Sequence, residues 1–290
     1  METNTSKDLN NKGVQFFMNG DLEKAKNCYQ KALETNPENA TSLNNLGLLL
    51  HHEKSFTEAI ENFSKAILIE KKPVYFLNAG NSHAMKGNLA NAEKCYLEAL
   101  NTDPNYYNAW ISLAKLSNHQ KKYDQAIRFW KKAFSIDPKP EYQLEIGKIY
   151  ILVKDYESAL TLLSGIQLVD SPAYWFLIGK CEYELRNHGL AEKAFKSALA
   201  IQPDSLEARQ FLGLNNFATG KIDQCLEQYD FILKMYPSNH KMLTEKAVIL
   251  CSISSFEKAL TLVEKALTLK PDYPKAIHYK ELILTSREAF

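Results

Sequence analysis

The chain has 290 residues and a nearly even balance of charge, 35 Lys+Arg against 34 Asp+Glu, for a formal +1. Basic and acidic residues run throughout the sequence, and only Arg128, Arg186, Arg209 and Arg287 of the basic residues are arginine. Nucleic acid and anionic membranes call for a concentrated basic surface, and lysine replaces arginine poorly in bidentate phosphate recognition, so both are excluded as main partners.

The start, from Met1 to Asp8, has no apolar stretch of the secretory kind. No run approaches the ~18 to 20 apolar residues of a membrane-spanning helix. Cys28, Cys95, Cys181, Cys225 and Cys251 are odd in number, far apart and without a CxxC spacing. Idle thiols in a reduced compartment are the expectation, with no metal role, and the expected location is the cytoplasm. The sequons at Asn4, Asn39 and Asn62 carry no weight there.

In chain order, a small residue recurs about every 34 positions: Gly13, Gly47, Gly80, Ala114, Gly147, Gly179, Gly213 and Ala247. About twelve residues after each comes a second small one, from Ala25 and Ala59 through Cys225 and Ala259. Four further on stands a bulky group: Tyr29, Phe63, Tyr96, Trp130, Leu163, Phe195, Tyr229 and Val263. Apolar residues recur at three and four spacings, as in Leu43, Leu46, Leu50 and then Ala59, Phe63, Ala66. Each unit therefore predicts two helices, A and B. Turns such as "MNGD", "MKGN" and "ATGK" separate them, and "NPEN", "DPNY", "QPDS" and "YPSN" part the units. Glycine ends helix A, proline cannot continue helix B, and the adjacent Asp, Asn or Ser caps the helix of the next unit. A glycine inside an apolar helix costs roughly 1 kcal/mol relative to alanine, so its recurrence marks a place where helices A and B approach closely. A fixed period of this length is the signature of a solenoid, in which stacked hairpins bury a continuous core.

The unit W-x2-L-G-x2-Y…A-x3-F…A…P resembles the tetratricopeptide repeat, most clearly in "AWISLAKLSNHQKKYDQAIRFWKKAFSIDP" from Ala109 to Pro138. The resemblance implies an all-α, right-handed α-solenoid. A short tail at 1–5 precedes eight units at 6–39, 40–72, 73–106, 107–139, 140–171, 172–205, 206–239 and 240–273. Residues 274–290 resemble a terminal capping helix, with Lys280, Glu281, Ser286 and Arg287 offering a polar face. At the other end the first unit carries polar Asn10, Asn11 and Lys12.

With the core stripe of helix A at repeat positions 4, 7, 8 and 11, positions 2, 5, 6 and 9 form the opposite stripe. In the family that stripe lines a concave peptide groove. At position 6 stand Asn11, Asn45 and Asn78, which resemble the asparagine ladder of some tetratricopeptide superhelices; an amide offers donors and an acceptor to the backbone of an extended ligand. Asn44, Leu77, Ile111 and Phe176 occupy position 5, Asn108 position 2, and Asn81, Lys115, Lys148 and Lys180 position 9. Such a lining suits an extended protein segment or helix with apolar anchors and acidic residues. The alternative packs the apolar members between repeats and leaves the lysines in water. The carboxylate clamp of some relatives is unmatched, because only Asn45 fits its pattern. No P-loop, HExxH or GxSxG motif occurs, the histidines are scattered, and no cofactor is implied. The expectation is a non-enzymatic adaptor; the rival is a structural scaffold or self-associating spacer.

Overall fold

The computed structural model describes residues 5–288, so all of the expected tail except Thr5, the last two residues of the expected capping helix and the Arg287 and Glu288 side chains lie outside the described residues. Among the described residues there are seventeen helices and no strand. Two compact units emerge, one ending at Ile149 and the other beginning at Tyr150.

The first unit holds the hairpins α1 (Ser6–Met18) and α2 (Leu22–Thr35), α3 (Ala40–His52) and α4 (Phe56–Ile69), α5 (Pro73–Met85) and α6 (Leu89–Thr102), and α7 (Tyr107–His119) and α8 (Tyr123–Ile136). Helix α9 (Pro140–Leu152) crosses the boundary. The second unit contains α10 (Tyr156–Ser164), then α11 (Pro172–Glu184) with α12 (His188–Ile201), α13 (Leu206–Ala218) with α14 (Ile222–Met235), and α15 (His240–Ser252) with α16 (Phe256–Leu269), ending in α17 (Pro274–Glu288). Within each unit every hairpin stacks on the next: α2 meets α3, α4 meets α5 and α6 meets α7, and later α12 meets α13, α14 meets α15 and α16 meets α17. Each unit is thus a solenoid of helical hairpins.

Short side chains start these helices where the sequence places them. Asn39 accepts from the Ser42 amide at 3.0 Å, Ser205 from Ala208 at 3.3 Å and Asn239 from Met242 at 3.2 Å, each satisfying one of the free N–H groups of a first turn. The A-to-B turn needs one left-handed residue. Gly20, Gly87 and Gly220 supply it at φ of 79°, 84° and 74°, while Lys54, Lys121, Lys154, Arg186 and Ser254 adopt it at 59° to 65° despite their side chains.

The recurring helical glycine sits under the bulky ring of helix B, the residue four positions after the helix B alanine. A Cβ added at Gly47 would sit 2.7 Å from Phe63, one at Gly80 2.5 Å from Tyr96, and one at Gly179 2.6 Å from Phe195. These rings are almost wholly buried, so the missing methyl is the space into which each ring packs. In the last hairpin the slot holds Ala247 and the corresponding bulky residue is Val263, both fully buried in one cluster.

At the last hairpin, α17 buries Ala276 and Ile283 completely, while Ile277 and Leu284 remain 39% and 41% exposed. Between these two, the repeat's small-residue slot is filled by exposed Glu281.

Candidate functional site

The A helices of the first unit lie side by side, α1 with α3, α3 with α5 and α5 with α7. The asparagines sit on this row, and the structure links them diagonally. Asn45 Nδ2 donates to Asn10 Oδ1 at 2.9 Å, and Ser42 Oγ donates to the same oxygen at 3.2 Å. Asn44 Nδ2 donates to Asn45 Oδ1 at 3.3 Å, and Asn78 Nδ2 donates to Asn44 Oδ1 at 2.8 Å. Position 5 of one repeat thus meets position 6 of the next. Asn10 and Asn44 are both 6% exposed; each is a buried polar group whose partners come from within the chain. Asn10 therefore forms part of the interior rather than a polar end, while Asn11, expected in the ladder, is exposed and outside the network.

The same diagonal recurs in the second unit with other chemistry. Gln210 Nε2 donates to Glu245 Oε2 at 2.8 Å, and the Tyr229 hydroxyl donates to that oxygen at 3.0 Å. Burial first, and then Glu245, holds the Tyr229 phenol far above its ordinary range, so it stays a donor. Phe176 meets Phe211 edge-on at 5.5 Å, and the Lys180 ammonium lies over the Phe211 ring at 5.5 Å.

The remaining expected residues divide. Leu77 is half-buried against a cluster including Phe76, Tyr96 and Leu113; Ile111 is half-buried. Asn108 is half-buried. Lys148 is exposed but paired with Glu145 at 2.6 Å. Lys115 is exposed and makes no ion pair among the described residues.

Two expected residues share a hollow. Asn81, Tyr96, Ser112, Lys115 and His119 line an open cavity of about 410 Å³ between the third and fourth hairpins of the first unit. The Tyr96 hydroxyl donates to Asn81 Oδ1 at 3.0 Å, and burial pushes that phenol up to about 12. The Asn81 oxygen thus accepts one bond, and its amide N–H groups share the cavity with the exposed Lys115. Tyr96, Ser112 and His119 were not singled out from sequence. Ser112 is the position 6 member of its repeat, so its column pointed there; Tyr96 reads as pure core. Among the described residues there is no His, Cys, Asp or Glu cluster able to hold a metal ion, and no helix long and apolar enough to cross a membrane.

Hairpins repeating near every 34 residues, five of them with a helical glycine packed beneath a buried ring, define an α-solenoid repeat protein. Family profiles agree: one described as "TPR repeat" matches residues 13–54, and others described as "Tetratricopeptide repeat" match 40–73, 75–106, 95–128, 144–205 and 212–274. The chain belongs to the tetratricopeptide repeat family. It is 24% identical over 247 residues to TPR repeat-containing protein MJ1428 of Methanocaldococcus jannaschii, covering 81% of this chain and 43% of that protein. It is 23% identical over 270 residues to anaphase-promoting complex subunit 3 of Schizosaccharomyces pombe, covering 90% and 40%. The chain thus spans less than half the length of these two curated relatives. The crystal structure of the APC/C hetero-tetramer Cut9–Hcn1 shares the fold with a TM-score of 0.60 and 17% identity, over 91% of this chain and 52% of that one. Tetratricopeptide proteins are generally interaction adaptors or scaffolds, and the family is typically non-enzymatic.

Proposed function

We propose that this chain is a non-enzymatic cytoplasmic adaptor that holds an extended segment of a partner protein along its A helices, with no cofactor. The carrying observation is the hollow at the third and fourth hairpins, where the free Lys115 ammonium stands beside Asn81, Tyr96, Ser112 and His119. These groups offer a cation and neutral donors within one small cavity, a chemistry suited to an acidic side chain flanked by backbone. Ile111 and Leu77 provide half-buried apolar surface on the neighbouring A helices. In the second unit, Phe176 and Lys180 form a separate apolar and cationic pair around Phe211.

The test is an affinity capture from lysate with wild type beside Lys115→Glu, read by mass spectrometry. A protein retained by wild type and lost by the variant supports the adaptor reading; identical captures refute it for this face. Lys115 suits the test because it is exposed and makes no ion pair among the described residues. A scaffold reading is favoured by one observation: a relative and a structural neighbour carry the names of assembly subunits. A mass in light scattering that rises with concentration, and is indifferent to Lys115→Glu, would favour a self-associating scaffold.

A further inference from the structure

The balanced charge of the whole chain conceals one basic repeat. Residues 107–139 contain seven Lys or Arg and two Asp, a net +5 in a chain whose total is +1. The other repeats are therefore net acidic taken together. Of the two aspartates, Asp137 is occupied by Lys139 at 2.8 Å and by the Tyr142 hydroxyl. Arg128, Lys131 and Lys132 form no ion pair among the described residues, and all three are exposed.

These three cations surround a second hollow of about 500 Å³, floored by Trp110 and Phe129 and closed by Ser135. It lies away from the Lys115 cavity: around α7, Ser112 and Lys115 stand roughly 140° to 160° from Trp110. The floor is built to take an apolar group. The Trp110 indole N–H donates to the Pro104 carbonyl at 3.0 Å, fixing the ring and leaving only its face for contact. Phe129 packs against it with centroids 5.6 Å apart. The Ser135 hydroxyl is turned to the Lys132 carbonyl at 2.8 Å. A ring pair with satisfied polar atoms, fringed by unpaired cations, is a pocket for a large apolar side chain with carboxylates on either side.

We infer that the outer face of α7 and α8 is a second docking surface, which takes an acidic segment of a partner protein anchored by one aromatic or aliphatic side chain. Charge complementarity selects that occupant. The three cations fall within five residues of α8, a rise of about 6 Å, which matches two or three neighbouring carboxylates. A nucleic acid carries charge along its whole length, and the repeats on either side give it no continuing basic track. Exposed cations in water are screened within about 8 Å at physiological salt, so binding at this surface weakens as salt rises.

The test uses a fluorescein-labelled peptide EEEFEEE on the full chain, followed by anisotropy. The expected result is saturable binding that falls about tenfold or more in the Lys131→Glu/Lys132→Glu variant, and similarly for EEESEEE, which lacks the anchor. Both substituted lysines are exposed, and circular dichroism checks that the variant remains folded. Lys115→Glu is expected to leave this binding unchanged. Loss of binding in Lys115→Glu but not in the double variant would overturn the inference while leaving the groove reading intact. Equal binding of EEESEEE, absence of saturable binding, or tighter binding of a labelled oligothymidylate would also overturn it, the last in favour of nucleic acid.

Discussion

Gly47→Ala tests the packing argument at its tightest assumption. In an open helix the change would stabilise by about 1 kcal/mol through propensity alone. Here the new methyl would stand 2.7, 2.9 and 3.0 Å from three carbons of the Phe63 ring, where carbon contacts prefer about 3.5–4.0 Å. The ring would have to retreat by nearly 1 Å, yet Phe63 is 0% exposed and packed in a cluster with Leu46, Leu49, Leu50, Ala59 and Ala79. Overpacking of this kind costs about 1–3 kcal/mol, so after the propensity gain a net loss of up to about 2 kcal/mol is expected. At about 2–4 °C per kcal/mol, the melting temperature should fall by up to about 8 °C. Gly189→Ala is the control, since a Cβ there meets nothing within 4 Å; it should gain about 0.4–1 kcal/mol. Adding Phe63→Val to Gly47→Ala reproduces the Ala247–Val263 pairing of the last hairpin, and the double variant should be more stable than the sum of the two single losses implies. Thermal and urea denaturation followed by circular dichroism read all four variants. If Gly47→Ala proves as stabilising as Gly189→Ala, the glycine is not there for the ring and the reasoning fails.

Three further outcomes are expected from other parts of the structure. Asn44→Ala removes two hydrogen bonds from a buried amide and should cost about 1–2 kcal/mol in urea denaturation, whereas Asn11→Ala, at an exposed position, should stay within about 0.5 kcal/mol of wild type. Lys121→Gly relieves a left-handed residue at φ 60° and should raise stability by about 0.5–1 kcal/mol, measured as a rise in melting temperature. Burial and, to a lesser degree, His52 hold the His51 imidazole below its ordinary value of about 6.5. The unfolded chain therefore takes up that proton first, and stability should decline as pH falls from about 6.5 towards the lower folded value. His51→Gln should flatten the change in melting temperature between pH 7.5 and 5.5, and an unchanged slope would contradict the assignment.

The period, the two helices of each unit and their turns were legible because each depends on spacing along a single helix. Apolar residues three and four apart mark the buried stripe, and glycine or proline marks its end. What spacing along one helix does not contain is the offset between helices. The small residue was correctly placed at the hairpin interface, but the residue it faces was not legible, since the relative rotation of helices A and B decides that Gly47 lies under the Phe63 ring. The candidate site was half legible for the same reason. Read down a column, Asn11, Asn45 and Asn78 look equivalent. Stacking shifts each A helix against the next, and the pairs that form are Asn10 with Asn45, Asn44 with Asn78, Phe176 with Phe211 and Gln210 with Glu245. Such complementary pairs, 34 or 35 residues apart, were present in the sequence along a diagonal.

That diagonal changes how the asparagines can be tested. An amide has two N–H donors and a carbonyl oxygen able to accept twice. In the network Asn45 and Asn78 each give one N–H to a neighbouring helix, so capacity remains for a ligand's backbone. Their orientation is set in advance by the chain, which lowers the ordering cost of any segment that binds there. The same bonds tie binding to folding. A triple alanine substitution at Asn11, Asn45 and Asn78 would remove inter-repeat hydrogen bonds together with any ligand contact, and a loss of capture would then have two causes. Lys115 and Asn11 are free of that coupling because, among the described residues, neither makes a hydrogen bond or ion pair to another helix. A substitution there that abolishes capture without moving the melting temperature locates the partner on the A-helix face, whereas the buried amides report first on how the repeats hold together.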